Sequence, residues 1–144
     1  MHYLDTCFIT PLLLNEAASE AVERYVLRAS AGSLCISHWT RLEFASLVAR
    51  EVRMKKMSAT QGTAVLAEFD KLVQESLLVL VPAVDDYNLA RDYLGMFSTG
   101  LRGGDALHLA IAANHSASKI LTLDEGMLSA GKQLKLPVGR GIKT

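Results

Sequence analysis

Short apolar runs alternate with longer segments of helical periodicity along this chain. Runs rich in Val, Ile and Leu predict strands near residues 2–5, 34–37, 77–81, 119–123 and 136–138. Helical spacing predicts helices near residues 10–14, 17–31, 38–55, 59–75, 85–97, 104–115 and 125–132. Strands joined by helical crossovers are typical of a parallel sheet covered on both faces, so the pattern predicts an α/β fold.

Residues that favour element ends support this division. Ser37 and Ser58 are placed to cap the helices that follow them, and Pro82 is placed to end the third strand. Gly103 and Gly104 are expected to mark a loop that precedes a nearly wholly apolar helix, where glycine lets backbone N–H groups approach an anion closely.

The length and composition favour one compact body. The 144 residues, half of them hydrophobic, can build one core, so we expect a single domain spanning residues 1–144. No apolar stretch approaches the roughly 18 residues of a membrane span, and the start MHYLDTCFI lacks a basic leader, which predicts a soluble cytoplasmic protein with no membrane association. Cys7 and Cys35 are expected to be reduced core thiols.

The charge balance argues against a generic binder of polyanions. The 15 basic and 15 acidic residues give a formal net charge of zero, so any affinity for nucleic acid has to be local. Basic side chains concentrate at residues 50–56 and 132–143. The first group fits a helix end, where cations favour the dipole, as well as it fits phosphate contacts.

Four acids interrupt apolar segments: Asp5, Glu43, Asp105 and Asp124. Asp5 and Asp124 end two predicted strands, and the other two lie near the starts of helices, so all four are expected at one sheet edge, where α/β proteins bind ligands. Clustered buried carboxylates are costly, and a divalent cation would offset that cost. Paired or single metals of this kind promote phosphoryl displacement, so the pattern favours a metal-dependent phosphodiesterase.

Each acid also has a simpler interpretation. Asp5, Asp105 and Asp124 could be plain helix N-caps. Glu43 lies on a helical stripe with Trp39, Ser46 and Arg50 that could face water.

Three polar neighbours of the acids are given structural roles. His108, one turn after Asp105, is expected to be either a satisfied core histidine or one that supports the site, in preference to a metal ligand. Thr6 and Thr122 adjoin the strand-end acids, where a hydroxyl could orient a carboxylate or a metal-bound water, but β-propensity or turn formation is the safer interpretation of both.

Four blocks of the sequence resemble the PIN-domain ribonucleases, and among them the VapC-type toxins of toxin–antitoxin pairs. They are LDT with Asp5, SHWTRLEF with Glu43, LRGGDALHLA with Asp105 and ILTLDEGM with Asp124, in the family's order and across nearly the whole chain. The sequence departs from the family at Cys7, where a small Ser is common, and at Met127, where an aromatic residue is common. Both departures leave the carboxylates in place.

The resemblance implies a PIN-like three-layer sandwich, with a central parallel sheet flanked by helices, and an endoribonuclease that depends on Mg²⁺ or Mn²⁺. Asp5 and Asp105 match the family's metal ligands, and Glu43 and Asp124 match residues that complete its catalytic pocket. The implied partners are an RNA substrate, a cognate small antitoxin and a second copy in a homodimer.

Two other functions fit the same pattern less well. A haloacid-dehalogenase-like phosphatase would need an Asp two positions after Asp5, and Cys7 holds that position. A non-catalytic PIN-fold module that binds RNA or protein stays open, because sequence alone does not establish turnover.

Overall fold

In the computed structural model, which describes residues 1–143, the chain builds one layered α/β unit. The strands of these residues are β1 His2–Leu4, β2 Leu34–Ser37, β3 Leu78–Leu80, β4 Lys119–Leu121 and β5 Val138–Gly139. The helices are α1 Thr6–Leu13, α2 Ser19–Arg28, α3 His38–Arg53, α4 Ala59–Ser76, α5 Val84–Gly95, α6 Gly103–Asn114 and α7 Glu125–Gln133, with a 3₁₀ turn at Phe97–Thr99. Over residues 1–143, none of the helices is long and apolar enough to cross a membrane.

The strands form one parallel sheet in the order β3-β2-β1-β4-β5. His2 on the central strand β1 pairs with Leu34 of β2 on one side and with Lys119 of β4 on the other. From β1 the chain adds β2 and β3 on one side and then β4 and β5 on the other, so the strand order switches between β1 and β4. In open parallel sheets, this switch opens a crevice outside the carboxyl ends of the two strands. Asp5 and Asp124 follow those two ends.

The core consists of two apolar clusters, one on each face of the sheet. Successive residues of a strand point to opposite faces, so Tyr3 and Ile120 enter one cluster while Leu4 and Leu121 enter the other. The first cluster is completed by α5, α6 and α7, and the second by α1 to α4, through residues that include Ala90, Leu109, Met127, Phe8, Val22, Phe44 and Phe69. The predicted three-layer architecture is confirmed.

The largest difference from the predicted elements concerns α1, which begins at Thr6, four residues before the predicted helix at 10–14. Its first turn is rich in residues of modest helix propensity, which hid the helix in the sequence. Asp5 caps it by accepting a hydrogen bond from the Phe8 N–H at 2.8 Å, and Phe8 and Ile9 are wholly buried. The cap and this burial outweigh the weak propensity.

The other predicted elements are present with ends shifted by a few residues. The helix caps predicted at Ser37 and Ser58 are confirmed: their hydroxyls accept from the N–H groups of Thr40 and Gln61, at 3.3 and 3.1 Å.

A glycine pair tests how tightly α7 packs on the sheet. A Cβ at Gly131 would overlap the Val138 side chain of β5, whereas a Cβ at Gly95, at the end of α5, would meet nothing within 4 Å. We expect Gly131→Ala to lower the free energy of unfolding by about 1–3 kcal/mol, because overpacking outweighs the gain in helix propensity. Gly95→Ala is the matched control and should be neutral or slightly stabilising. Urea denaturation of both variants measures the difference, and equal stabilities would contradict the close α7–β5 packing.

Candidate active site

The structure brings all four predicted acids to the switch point of the sheet. Asp5 lies between β1 and α1, and Asp124 precedes α7 beyond β4. Glu43 lies in the second turn of α3, and Asp105 is the third residue of α6. Their charges act on one another: that of Glu43 raises the pKa of Asp5, and those of Asp124 and Glu43 raise the pKa of Asp105. The four carboxylates therefore form one electrostatic cluster.

Asp5 is the most deeply buried of the four, with 3% of its surface exposed. One carboxylate oxygen caps α1 at Phe8, and the other accepts the Thr122 hydroxyl hydrogen bond at 2.6 Å. Burial raises the pKa of Asp5 to about 6, although the charge of His108 and both hydrogen bonds oppose the rise. The capping interpretation is thus correct but incomplete, because a cap alone does not require a buried charge beside Glu43.

Glu43 is held by two donors on one oxygen. Its Oε2 accepts from His108 Nε2 at 2.8 Å and from the Thr6 hydroxyl. Burial favours its neutral form, but the bonds from His108 and Thr6 and the charge of His108 hold the pKa of Glu43 below its usual value. Its other oxygen, Oε1, faces the start of α6, where a Cβ at Gly104 would lie 3.1 Å from it and 3.1 Å from Trp39. Glycine at 104 therefore leaves room for the carboxylate.

His108 connects Glu43 to the interior. It is 1% exposed, and its Nδ1 lies 2.8 Å from the Tyr3 hydroxyl, which is 2.9 Å from the Ser37 hydroxyl. Burial raises the pKa of Tyr3, so its hydroxyl stays protonated and holds the Nδ1 side of the imidazole, while Nε2–H donates to Glu43. The expected role of a satisfied buried histidine is confirmed. Tyr3 was missed, since a strand tyrosine carries no sequence signal that distinguishes it from core.

Asp105 differs from the other three in its lack of donors. The N-cap of α6 is Arg102, so the interpretation of Asp105 as a plain N-cap is wrong. Within residues 1–143, no hydrogen bond joins its carboxylate to another residue. Burial raises the pKa of Asp105, and the charges of Asp124 and Glu43 raise it further. His108 and Arg102 oppose these effects only partly.

Asp124 is exposed and joined to Asp5 through a threonine. Its Oδ1 caps α7 by accepting from Met127 N–H at 2.7 Å, and its own N–H donates to the Thr122 hydroxyl at 3.0 Å. Thr122 in turn donates to Asp5, and Thr6 likewise donates to a site carboxylate. The preferred interpretation of both threonines as strand or turn formers is therefore incomplete, because both hydroxyls hold a carboxylate, as the alternative interpretation predicted.

Cys7 does not have the environment expected of it. The thiol lies in the first turn of α1 and is exposed, whereas Cys35 is buried as expected. Local burial and then the charges of all four acids raise the pKa of the Cys7 thiol to about 12, so it is uncharged at neutral pH. Cys7 is therefore within electrostatic reach of all four carboxylates and adds no charge to them.

The donor set suits a hard divalent cation held partly by water. In residues 1–143, no three His, Cys, Asp or Glu side chains lie close enough to enclose an ion by themselves. Mg²⁺ is usually bound by one or two carboxylates and keeps several waters, so it needs no such cage. Asp5 and Asp105 have raised pKa values that a cation would lower again, and both offer oxygen only. The residues present fit this group.

Comparisons with known proteins agree with the fold. The PIN domain family model matches residues 2–133, so the chain belongs to the PIN domain family. A comparison with curated proteins finds no match.

Several solved structures share the fold. Mycobacterium tuberculosis VapC20, described as a sarcin-ricin loop cleaving toxin, has a TM-score of 0.73 at 16% identity, covering 91% of this chain and 95% of its own. FitAcB from Neisseria gonorrhoeae has a TM-score of 0.71 at 19% identity, with 98% of each chain covered. VapBC-1 from nontypeable Haemophilus influenzae has a TM-score of 0.67 at 17% identity, with 98% of each covered.

Neutralising Asp105 should stabilise the metal-free protein. Its raised pKa means that protonation favours folding, so this contribution is present below the ordinary value of 3.8 and is lost as the pH rises through the raised value. We expect Asp105→Asn, in chelator at pH 7, to be more stable than wild type by on the order of 1 kcal/mol. The advantage should shrink as the pH falls towards 4.

Asp85→Asn is the matched control for this experiment. Asp85 is an exposed aspartate in the first turn of α5, so its loss removes only a favourable interaction with the helix dipole. It should lower stability by about 0.3–1 kcal/mol. Thermal melts of both variants across this pH range decide the matter, and a destabilised Asp105→Asn would show that repulsion is not the dominant effect.

Proposed function

We propose that this protein is a metal-dependent endoribonuclease that cleaves RNA phosphodiester bonds as the toxin of a toxin–antitoxin pair. The observation that carries the proposal is the convergence of four carboxylates at the sheet switch point, two of them with raised pKa values. The description of VapC20 as a toxin that cleaves the sarcin-ricin loop supports the same chemistry in this fold. The chain would act as a single domain in the cytoplasm, where RNA is accessible.

Asp5 and Asp105 are the proposed ligands of Mg²⁺ or Mn²⁺, and Glu43 and Asp124 complete the site. When bound, the cation supplies positive charge that stabilises the phosphoryl oxygens during displacement. Phe8 N–H and Thr122 fix the Asp5 carboxylate in one orientation, so it needs little reorganisation to act.

Glu43 is the proposed acceptor of a proton from the attacking water. Its lowered pKa keeps it ionised at neutral pH, and Thr6 and His108 occupy Oε2 while Oε1 faces the start of α6. A proton taken up at Oε1 leaves both hydrogen bonds to Oε2 in place. Arg102, whose charge acts on Asp105, is a proposed contact for an RNA phosphate.

A cognate antitoxin is the proposed protein partner. The resemblance to VapC-type toxins supports such a partner, and the structural neighbours include FitAcB, VapBC-1 and FitAB bound to a DNA fragment. The partner would lay an extended or helical segment across the pocket and present a basic residue to the carboxylates. Residues 12–14 and 65–72 offer this partner little apolar surface, because most of their apolar side chains pack against the core.

Exposed apolar side chains elsewhere support assembly. Leu42 on α3 and Phe97 are 63% and 90% exposed. Val81 and Val84, beside the edge strand β3, are 68% and 74% exposed and support the proposed homodimer.

RNA cleavage tests the enzymatic proposal. The purified chain should cut RNA internally with Mg²⁺ or Mn²⁺ and not with chelator. Asp5→Asn and Asp105→Asn should each lose activity by about a hundredfold or more, because each removes a ligand and its charge. Cation addition should also raise the wild-type melting temperature more than that of either variant. RNA binding without cleavage would instead identify a non-catalytic module, and full activity in either variant would exclude the assigned site.

Two adjacent glycines give a matched steric test of the same site. Gly104→Ala places a methyl group against Glu43 Oε1 and Trp39, while Gly103→Ala meets nothing within 4 Å. Both residues lie in the first turn of α6, so the two changes have the same effect on helix propensity. Cleavage should fall at least about tenfold in Gly104→Ala and persist in Gly103→Ala. Equal cleavage rates in the two variants would show that cleavage does not require the close approach of Glu43 to the start of α6.

Co-expression from the native operon tests the partner. We expect a small second chain to co-purify with this protein and to inhibit cleavage by covering the carboxylates. Charge reversal of the partner's basic residues should release the inhibition. An active protein recovered alone, with no neighbouring gene for a small partner, would contradict the toxin–antitoxin assignment and leave the nuclease assignment intact.

A further inference from the structure

A basic cavity lies at the opposite edge of the sheet from the carboxylates. It has a volume of about 540 Å³, a size common for small-molecule sites, and its walls come from α2, the starts of β1 and β4, and residues 141–143. His2 and Lys119 begin the strands that Asp5 and Asp124 follow. Three residues of strand, about 10 Å, therefore separate its floor from the acidic site.

The lining carries four cationic side chains and no acidic one: Arg24, Arg28, Lys119 and Lys143. Arg24 is paired with Glu20 on the exposed side of α2. Across residues 1–143, the other three make no ion pair. Three uncompensated cations around one cavity leave a positive potential that a multivalent anion would neutralise.

The cavity has ordered walls. The Tyr25 hydroxyl lies 2.8 Å from His2 Nδ1, which fixes both rings at the floor. Gly141 has a φ of +65° and lies so close to Leu121 and Tyr25 that a Cβ there would be 2.9 and 3.1 Å from them. The segment 141–143 is thus seated against the aromatic ring and closes one side of the cavity.

The pKa of His2 depends on the charges around the cavity. Burial lowers the pKa of its imidazole, and the charges of Lys119 and of the chain's amino group lower it further. An anion in the cavity would oppose the effects of Lys119 and the amino group and raise the pKa of His2, so the titration of His2 reports binding.

We propose that this cavity binds a small anion carrying a diphosphate group. Arg28 offers a planar set of donors suited to phosphate oxygens, and Lys119 and Lys143 add point charges. Tyr25 and Ile142 give the cavity an apolar wall that can also hold a nucleoside. The site is separate from the carboxylate cluster, so the proposal does not depend on the nuclease function.

Calorimetric titration of the full chain with pyrophosphate, ADP and sulfate tests the proposal, in chelator and at about 0.15 M salt. Chelator prevents diphosphate from binding through a cation at the carboxylates. Pyrophosphate or ADP should bind at one site at least about tenfold more tightly than sulfate. Similar affinities for pyrophosphate and ADP would show that the diphosphate group alone is enough for binding. Tighter binding of ADP would identify the ligand as a nucleoside diphosphate.

A matched pair of double variants locates the site. Arg28→Gln with Lys119→Gln should weaken binding at least about tenfold, whereas Lys71→Gln with Arg91→Gln removes the same charge from exposed positions on α4 and α5 and should leave it unchanged. In wild type, NMR titration should show the pKa of His2 rising when the anion binds.

Three results would overturn the proposal: no saturable binding of either diphosphate, equal loss in both double variants, or an unchanged His2 titration. The His2 measurement decides the question even if the first double variant fails to fold. Binding of single-stranded RNA by the cavity without binding of either small anion would also overturn it, and would assign the surface to a nucleic acid.

Discussion

The structure depends on bringing four negative charges together at one edge of a parallel sheet. Taking carboxylates out of water is costly, and their mutual repulsion adds to the cost. The chain offsets part of it with fixed donors: the Phe8 amide and Thr122 hold Asp5, and Thr6 and His108 hold Glu43. Asp105 has no such donor in the described residues, so the cost of its charge is the least offset, and a bound cation would stabilise this carboxylate most.

The surrounding core is arranged to keep those donors in place. His108 can support Glu43 because the Tyr3 hydroxyl, itself bonded to Ser37, satisfies its other nitrogen from inside the first apolar cluster. Trp39 fastens the start of α6 to α3 by donating to the Gly104 carbonyl at 3.2 Å. Since these partners come from β1, β2, α3 and α6, the geometry of the site depends on the packing of the whole domain.

The formal net charge is zero, but clusters of opposite charge lie at opposite edges of the sheet. The carboxylates gather beyond the carboxyl ends of β1 and β4, and cations gather at the beginnings of the same strands. Parallel strands make this separation possible, because all their amino ends lie at one edge and all their carboxyl ends at the other. A site that binds a cation and a site that binds an anion can therefore lie in one small domain without their charges neutralising each other.

The sequence by itself determined the α/β alternation, all five strands to within two residues at either end, and the four acids, because periodicity and strand-end position are local properties. It did not determine the start of α1, where the Asp5 cap and the burial of Phe8 outweigh weak propensity. Only the tertiary structure showed that Tyr3 holds His108 and that Thr6 and Thr122 donate to site carboxylates, because each contacts a residue distant in sequence. The exposure of Cys7 and the basic cavity were likewise decided by tertiary structure, since both depend on how separate elements meet in space.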